Sequence, residues 1–146
     1  MTMDLPEQVS PAALQRARVA LEEAAVGPSD SVLAAAPLLQ LWQPVLIKRD
    51  VCLSGLVTGH PLLPSDYITT SPLIALDPKL IWARTMSRFY RLDEYLPLML
   101  KEALAKDSEQ GVIVMDAYGW PALDLKQAQT YLAALAAYIR ANSTMN

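Results

Sequence analysis

The chain contains one cysteine, Cys52, and one histidine, His60, the side chains best suited to nucleophilic catalysis at neutral pH. A thiol nucleophile needs a base within hydrogen-bonding reach, and these two residues lie eight positions apart. Cys52 stands between Val51 and Leu53 in an apolar run, which is typical of a small buried side chain, and residues 59–61 are typical of a turn. We therefore predict that Cys52 and His60 do not form a cysteine-hydrolase site.

Metal binding and acid–base catalysis also lack the residues they need. One histidine and one cysteine require added carboxylates to bind zinc, and no acidic pair flanks either of them at ligand spacing. The adjacent carboxylates Glu22-Glu23 and Asp93-Glu94 point about 100° apart on a helix, where solvated or capping charge is expected. The sequence contains no GxGxxG, P-loop or GxSxG motif. We expect no catalytic residue, no metal and no cofactor, and predict that the protein is not an enzyme.

The densest group of side chains suited to binding lies within residues 80–92. If this segment is one strand, alternate side chains share a face, and that face includes Met86 between two arginines and two aromatic residues. Arginines framed by aromatic rings are typical of a surface that stacks on bases and binds phosphates. The sequence thus predicts a set of residues that bind a partner or a nucleic acid: Trp82, Arg84, Arg88, Tyr90 and Arg91.

An alternative interpretation is that the arginines pair internally with acidic side chains of flanking helices. Residues 1–47 carry two basic and five acidic side chains (−3), residues 48–92 six and three (+3), and residues 93–146 four and seven (−3). Both internal pairing and an anion-binding face explain this distribution. The hydroxyl residues at 69–71 are also expected to hydrogen-bond to Thr85 and Ser87, which would fix the strand register.

Helices are expected to open the chain. Ser10 is a good N-cap, Pro11 fits the first helical position, and Gly27 ends the helix. A second helical stretch is expected after Asp30, with an apolar face that continues to residue 43. The first 43 residues are therefore predicted to form a helical arm.

The middle of the chain has the pattern of an antiparallel β-meander over residues 45–92. Gly55 fits a bulge or a close backbone approach, and Pro72 suggests a strand edge or a break. Short connections between the apolar runs favour consecutive antiparallel strands. The strands are expected within residues 45–53, 67–76 and 80–92, with a further one near 111–115.

The last third is predicted to form a helix, a strand and a second helix over residues 93–141. Asp93 can cap the first helix, and Asp124 can cap the final one with Gln127 in a capping box. The inner face of the final helix is expected to consist of Leu125, Ala128, Leu132, Leu135 and Ile139. We predict a single α+β domain over residues 1–146 in which a small antiparallel sheet packs against N-terminal and C-terminal helices.

Composition excludes several classes of protein. Of the 146 residues, 53% are hydrophobic and 18% are charged, which excludes disorder, a coiled-coil rod and a collagen-like fibre. One cysteine allows no internal disulfide, the first residues lack the pattern of a signal peptide, and no apolar run reaches the ~18 residues of a membrane span. We expect a cytoplasmic protein with no membrane partner.

Two short motifs resemble those of a small bacterial family of unknown function. They are Ile68-Thr69-Thr70-Ser71, an I-x-T-S strand, and the run from Ala83 to Leu92, an A-R-T-x-S-R-x-Y-R-L strand. This is similar to short proteins of proteobacteria and their phages or plasmids, and the resemblance covers residues 51–92. It implies a β-meander and a bacterial or mobile-element source, and it implies no reaction, cofactor or catalytic residue.

Together these observations favour a protein that acts by binding another protein. The low charged fraction and the alanine-rich final helix indicate exposed apolar surface, as in an inhibitor or modulator of a host (defence) protein. A self-complementary helix face would equally give a homodimer. The alternative is a regulatory protein that binds nucleic acid through the strand carrying Arg84 and Arg88.

Overall fold

The computed structural model describes residues 10–96 and 119–143, and within them it confirms the α+β class. The helix expected after Asp93 lies almost entirely outside the described residues, and so does the strand expected near 111–115. No helix of the described ranges is long and apolar enough to cross a bilayer. The elements are α1 (Pro11–Val26), α2 (Asp30–Ala35), β1 (Leu38–Ile47), β2 (Asp50–Thr58), β3 (Asp66–Thr69), β4 (Leu73–Leu76), β5 (Trp82–Thr85), β6 (Phe89–Leu92) and α3 (Leu125–Ser143).

The strands form one sheet that curls towards closure. Its order is β3-β2-β1-β6-β5-β4, and all neighbours are antiparallel except β1 and β6. The edge strands β3 and β4 are joined by residues 70–72 alone. Five strand spacings of ~4.8 Å would separate the edges of a flat sheet by about 24 Å, whereas this connection spans at most about 14 Å. The sheet therefore curls, and β2 contacts β4.

We call residues 69–72 the seam, because this segment crosses from one edge of the sheet to the other. Thr70 N donates to Leu53 O at 2.8 Å on the β2 side, and Met86 N donates to Pro72 O at 2.8 Å on the β5 side. The break suggested by Pro72 is confirmed, and its consequence is larger than expected. The strand predicted over 67–76 is two strands at opposite edges, so the sheet is not the simple meander that the sequence predicted.

The helix expected across residues 38–43 is wrong, because these residues begin β1. A helix confined between Pro37 and Pro44 would have few intrahelical hydrogen bonds, whereas pairing with β2 satisfies the backbone. The apolar residues still face inward, and Leu39 and Trp42 are fully buried. The helical spacing of this run arises from a bulge between Gln40 and Gln43, which shifts the strand register.

Gly55 occupies a close backbone approach, as the sequence predicted. A Cβ at this position would lie 2.8 Å from Gln40 O, which adjoins the β1 bulge. The absent side chain therefore allows β1 and β2 to stay paired through the irregular part of the ladder.

The predicted ends of α1 and the predicted start of α3 are confirmed. Ser10 Oγ accepts a hydrogen bond from Ala13 N at 3.1 Å, and Gly27 ends α1 with φ 86°. At the start of α3, Asp124 Oδ1 accepts from Gln127 N at 2.7 Å and Gln127 Oε1 accepts from Asp124 N at 3.0 Å. This is the reciprocal pattern of a capping box.

The core lies between the curled sheet and the two long helices. Helix α3 packs against α1 and β4, and its inner face buries Ala128, Leu132 and Ile139 as predicted. Tyr131 also faces inward, and its hydroxyl donates to Arg49 O at 3.0 Å. This bond ties α3 to the β1–β2 turn.

Candidate functional site

The segment predicted as one strand over 80–92 is a hairpin, so the shared face of five side chains does not form. Thr85 causes the reversal: its Oγ1 accepts hydrogen bonds from Ser87 N at 3.2 Å and Arg88 N at 3.3 Å. Thr85 N also donates to Arg88 O at 2.9 Å, which closes the turn. A buried threonine whose hydroxyl satisfies two backbone N–H groups can stop a strand that alternation alone would continue.

The hairpin divides the predicted binding residues between two faces of the sheet. Trp82 opposes Arg91 and Arg84 opposes Phe89 on one face, while Tyr90 lies on the other face opposite Ala83. The Trp82 ring packs edge-on against Phe89, with centroids 5.5 Å apart. Arg91 Nε donates to Ala36 O at 2.9 Å, at the end of α2. The structure therefore does not bring these residues together as one surface.

Arg84 has a structural role. Its Nη2 lies 3.0 Å from Glu23 Oε1 of α1, and its side chain is only 9% exposed. Its Cζ lies 5.3 Å from the centroid of the Phe89 ring. Burial lowers the pKa of Arg84, the Glu23 charge opposes that change, and the charge of Arg88 adds to it. The alternative interpretation, in which an arginine pairs inward with a flanking helix, is confirmed for Arg84.

Arg88 has no such partner. The Nε atoms of Arg84 and Arg88 are both buried without a hydrogen-bond partner, but no carboxylate of the described residues pairs with the Arg88 guanidinium. It lines a cleft of about 240 Å³ at the seam, which we call the Arg88 cleft. The other lining residues are His60, Leu62, Leu63, Ile68, Thr69, Thr70, Ser71, Ser87 and Tyr90.

Hydroxyl groups form one wall of the Arg88 cleft. Ser87 Oγ donates to Ser71 Oγ at 2.9 Å, which confirms the predicted bonding between the 69–71 segment and Ser87. The Ser71 hydroxyl keeps its own proton for a further acceptor. Thr70 Oγ1 accepts from Leu53 N at 3.0 Å and donates to Ser71 O at 2.8 Å, so it holds the seam in place.

His60 also lines the cleft. Its Nδ1 accepts hydrogen bonds from Leu62 N at 3.0 Å and Leu63 N at 3.2 Å, so the ring proton resides on Nε2. Its ring centroid lies 6.2 Å from that of Tyr90. Burial, and then the positive charge of Arg88, lowers the pKa of His60. The predicted turn histidine is confirmed, and it is neutral at pH 7.

Cys52 is not suited to nucleophilic chemistry. It is buried in β2, as the sequence predicted. Burial, and then the charge of Asp50, raises the pKa of Cys52 to about 12, so that almost no thiolate forms at neutral pH. In the described part of the chain, no group of three histidine, cysteine or acidic side chains could hold a metal ion.

Residues 7–142 match a protein family that is described as a family of unknown function (DUF6634). The chain belongs to the DUF6634 family. The resemblance to a family of unknown function, drawn from residues 51–92, is thereby confirmed in that general form and extends over most of the DUF6634 chain. No curated protein and no solved structure is significantly similar to it. The matched residues include the whole Arg88 cleft.

Sequence reasoning missed several residues of the cleft. It identified Arg88 and Tyr90 as binding residues, but it assigned Ser71 and Ser87 only to strand register and His60 only to a turn. The two motifs could have indicated these residues, since Ser71 lies in the I-x-T-S motif and Ser87 and Arg88 lie in the A-R-T-x-S-R-x-Y-R-L motif. What joins these motifs is the seam, which brings the end of the first motif beside the hairpin turn of the second.

Proposed function

We propose that this DUF6634 protein is a non-catalytic binding module that holds an acidic segment of a partner protein, with an anionic group of that segment in the Arg88 cleft. The uncompensated guanidinium carries this proposal: Arg88 Nε is buried without a hydrogen-bond partner, and no described carboxylate neutralises the group. Surrounding protein strengthens the attraction of such a cation for an anion, and an arginine fork fits carboxylate or phosphate oxygens.

The donors around Arg88 support an anionic ligand. The Ser71 hydroxyl can donate to the ligand because Ser87 already donates to Ser71. His60 also lines the cleft and carries its proton on Nε2. Because His60 is neutral at pH 7, Arg88 supplies the positive charge that attracts the anion. The neutral donors orient the anion through hydrogen bonds.

The rim of the cleft supports a protein as the source of that anion. Leu62 is 78% exposed and Leu63 is 43% exposed, and both line the cleft. An arginine beside exposed apolar side chains is typical of the centre of a protein interface. A nucleic-acid surface requires several free cations, whereas Arg84 is paired with Glu23 and Arg91 is bonded to Ala36 O.

Absence of catalysis is part of the proposal. The buried Cys52 thiol is a poor nucleophile, and His60 Nδ1 is occupied by backbone N–H groups. A protein that acts by occupying its target suits the role of a modulator or inhibitor of a host (defence) protein in a bacterium or mobile element. We place it in the cytoplasm, where the lone thiol of Cys52 stays reduced.

The first test measures anion binding directly. The backbone N–H resonances of Ser71 and Ser87, which line the cleft and are present in every variant, are followed by NMR at constant ionic strength while phosphate, sulfate or acetate is added. We expect a saturable shift in the wild type and its loss in Arg88→Ala, with binding retained in Arg49→Ala, a matched change at an exposed arginine of the β1–β2 turn. Equal titration curves for both variants would overturn the proposal. Acetate and phosphate distinguish a carboxylate from a phosphorylated side chain as the anion.

The second test identifies the kind of partner. The wild type, Arg88→Ala and Arg49→Ala are compared as baits in native extract and with single- and double-stranded oligonucleotides at low salt. Support requires a captured protein that Arg88→Ala loses, that Arg49→Ala keeps and that the preferred anion competes away. Oligonucleotide binding that depends on Arg88 would replace the protein partner with a nucleic acid. Sedimentation at several concentrations shows whether the partner is a second copy of the chain.

A further inference from the structure

A second cavity lies between α1, α3 and the sheet, and Pro72 of the seam lines it. Its volume is about 210 Å³. Leu14 of α1, Ile74 of β4 and Leu135 of α3 supply apolar walls, and Met86 of the hairpin turn completes them. An apolar cavity of about 150 Å³ is sufficient to bind benzene, so this one accommodates a molecule with a single ring. The proposed function makes no use of it.

The polar side of this cavity contains a carboxylate without a partner. Asp50 lines the cavity, and no cation or hydrogen-bond donor among the described residues pairs with its side chain. It is the first residue of β2, directly after the β1–β2 turn. Burial raises its pKa, so the surroundings of Asp50 disfavour the charged form.

Two tyrosines lie in the same cavity. Tyr131 is fixed because its hydroxyl donates to Arg49 O at 3.0 Å, and Tyr138 lies two turns further along α3. Burial, and then the Asp50 charge, raises the pKa of Tyr131 to about 12, so its hydroxyl stays protonated. The aromatic rings provide surface that attracts a cation as well as apolar groups.

We propose that this cavity, the Asp50 pocket, binds a small amphipathic amine whose ring fills the apolar part and whose ammonium group pairs with the Asp50 carboxylate. The ammonium supplies the counter-charge that the chain does not provide, and the ring removes apolar side chains from water. A neutral molecule of the same shape gains only the second contribution, and a carboxylate in the ammonium position is repelled. Charge therefore selects the ligand, while volume limits its size.

The test compares matched probes by isothermal titration and NMR. In the wild type, 2-phenylethylamine is expected to bind at least about ten times more tightly than 2-phenylethanol, the difference that one ion pair of about 1.4 kcal/mol provides. Asp50→Asn keeps the shape of the side chain and should remove the preference for the amine. Asp66→Asn, a matched change at the exposed first residue of β3, should leave the preference unchanged.

Ala13→Leu provides a second variant, because the larger side chain fills the cavity and leaves Asp50 in place. It should weaken both probes equally. The proposal is overturned if the wild type binds amine and alcohol equally, or if both variants keep wild-type affinity for the amine. Circular dichroism confirms folding of each variant. Arg88→Ala should bind the amine normally, so this proposal and the proposed function fail independently.

Discussion

Two arginines of the same hairpin have opposite surroundings. Arg84 lies in β5, is buried, pairs with Glu23 and packs over Phe89. Arg88, four residues later, faces the cleft at the seam and has no counter-charge among the described residues. The sequence pattern does not distinguish them, since it predicts that both lie on the same face of one strand over residues 80–92. Their difference comes from the Thr85 turn, which directs one arginine to helix α1 and the other to the cleft.

A cation that stabilises the fold differs from one that is available to a ligand in whether the chain supplies its counter-charge. A buried cation requires a partner, and Glu23 provides it for Arg84 from outside the sheet. Arg88 lies at the rim of the fold, where the chain leaves its guanidinium partly covered and unneutralised. Residue type and position in the motif therefore do not show which arginine is available to a ligand. The presence or absence of a carboxylate paired with it does.

The largest expected effect separates the two arginines by stability. Arg84→Ala should lower the free energy of unfolding by about 2 kcal/mol, below the ~3–5 kcal/mol of a fully buried pair because Glu23 is 52% exposed and screened by solvent. Arg88→Ala should change it by less than about 0.5 kcal/mol. Urea unfolding of both variants at pH 7 measures the difference. Equal losses would show that the contrast between the two arginines is wrong.

The next effect concerns the turn that separates them. Thr85→Val should cost about 1.5 kcal/mol, because the partly buried N–H groups of Ser87 and Arg88 lose their acceptor while the shape of the side chain is kept. It should also weaken anion binding, since it releases the turn that positions Arg88. Thr85→Ser retains the hydroxyl and serves as the control in unfolding and titration. A Thr85→Val protein with wild-type stability and anion affinity would contradict this role of the hydroxyl.

A smaller effect is expected from the other member of the ion pair. Glu23→Gln should cost about 0.5 kcal/mol, because the carboxylate is half-exposed and the amide can still accept a hydrogen bond. A double-mutant cycle should show that this cost disappears in the Arg84→Ala background. Glu22→Gln, which affects the surface pair with Arg18, should be independent of Arg84. If Glu22 also proves to be coupled to Arg84, the measured coupling reflects the overall charge of helix α1 and not the Glu23–Arg84 pair.

The smallest effect is a dependence of stability on pH. The pKa of His60 is lowered by burial and by Arg88, so the unfolded chain, with a pKa near 6.5, takes up a proton first as the pH falls. Stability should therefore decrease from pH 7.5 towards pH 5 as the pH passes through that window. Arg88→Ala removes one cause and should reduce the contribution of His60, while His60→Gln abolishes it. Unfolding curves at several pH values measure this dependence in both variants. If the free energy of unfolding of His60→Gln still changes with pH as in the wild type, other groups cause the dependence.

Much of the fold could be predicted from local patterns. Ser10, Gly27 and the Asp124–Gln127 pair mark helix ends because their hydrogen bonds join residues within four positions of each other. Helical spacing predicted the inner face of α3. The glycine at position 55 predicted a close approach of the backbone, and β1 lies close to it. The helix predicted across 38–43 failed because a bulge imitated helical spacing in a strand.

The candidate site was less predictable than the fold. The sequence marked Arg88 and Tyr90 correctly as residues of interest, but it grouped them with Trp82, Arg84 and Arg91, which lie on the other face of the hairpin. His60 and Ser71 come from separate segments, and no local pattern indicates that they share a cleft with Arg88.

The sequence by itself determined where α1 begins and ends and where α3 begins, which side chains are apolar, and which motifs concentrate arginine and hydroxyl groups. Only the tertiary structure decided that residues 69–72 join the two edges of a curled sheet, and that Arg84 has a carboxylate partner while Arg88 has none. The physical reason is the sequence separation of the interacting groups. The hydrogen bonds of a helix cap join residues that lie within one helical turn of each other. The charge state of a site, in contrast, depends on groups that lie far apart in sequence and meet only after folding.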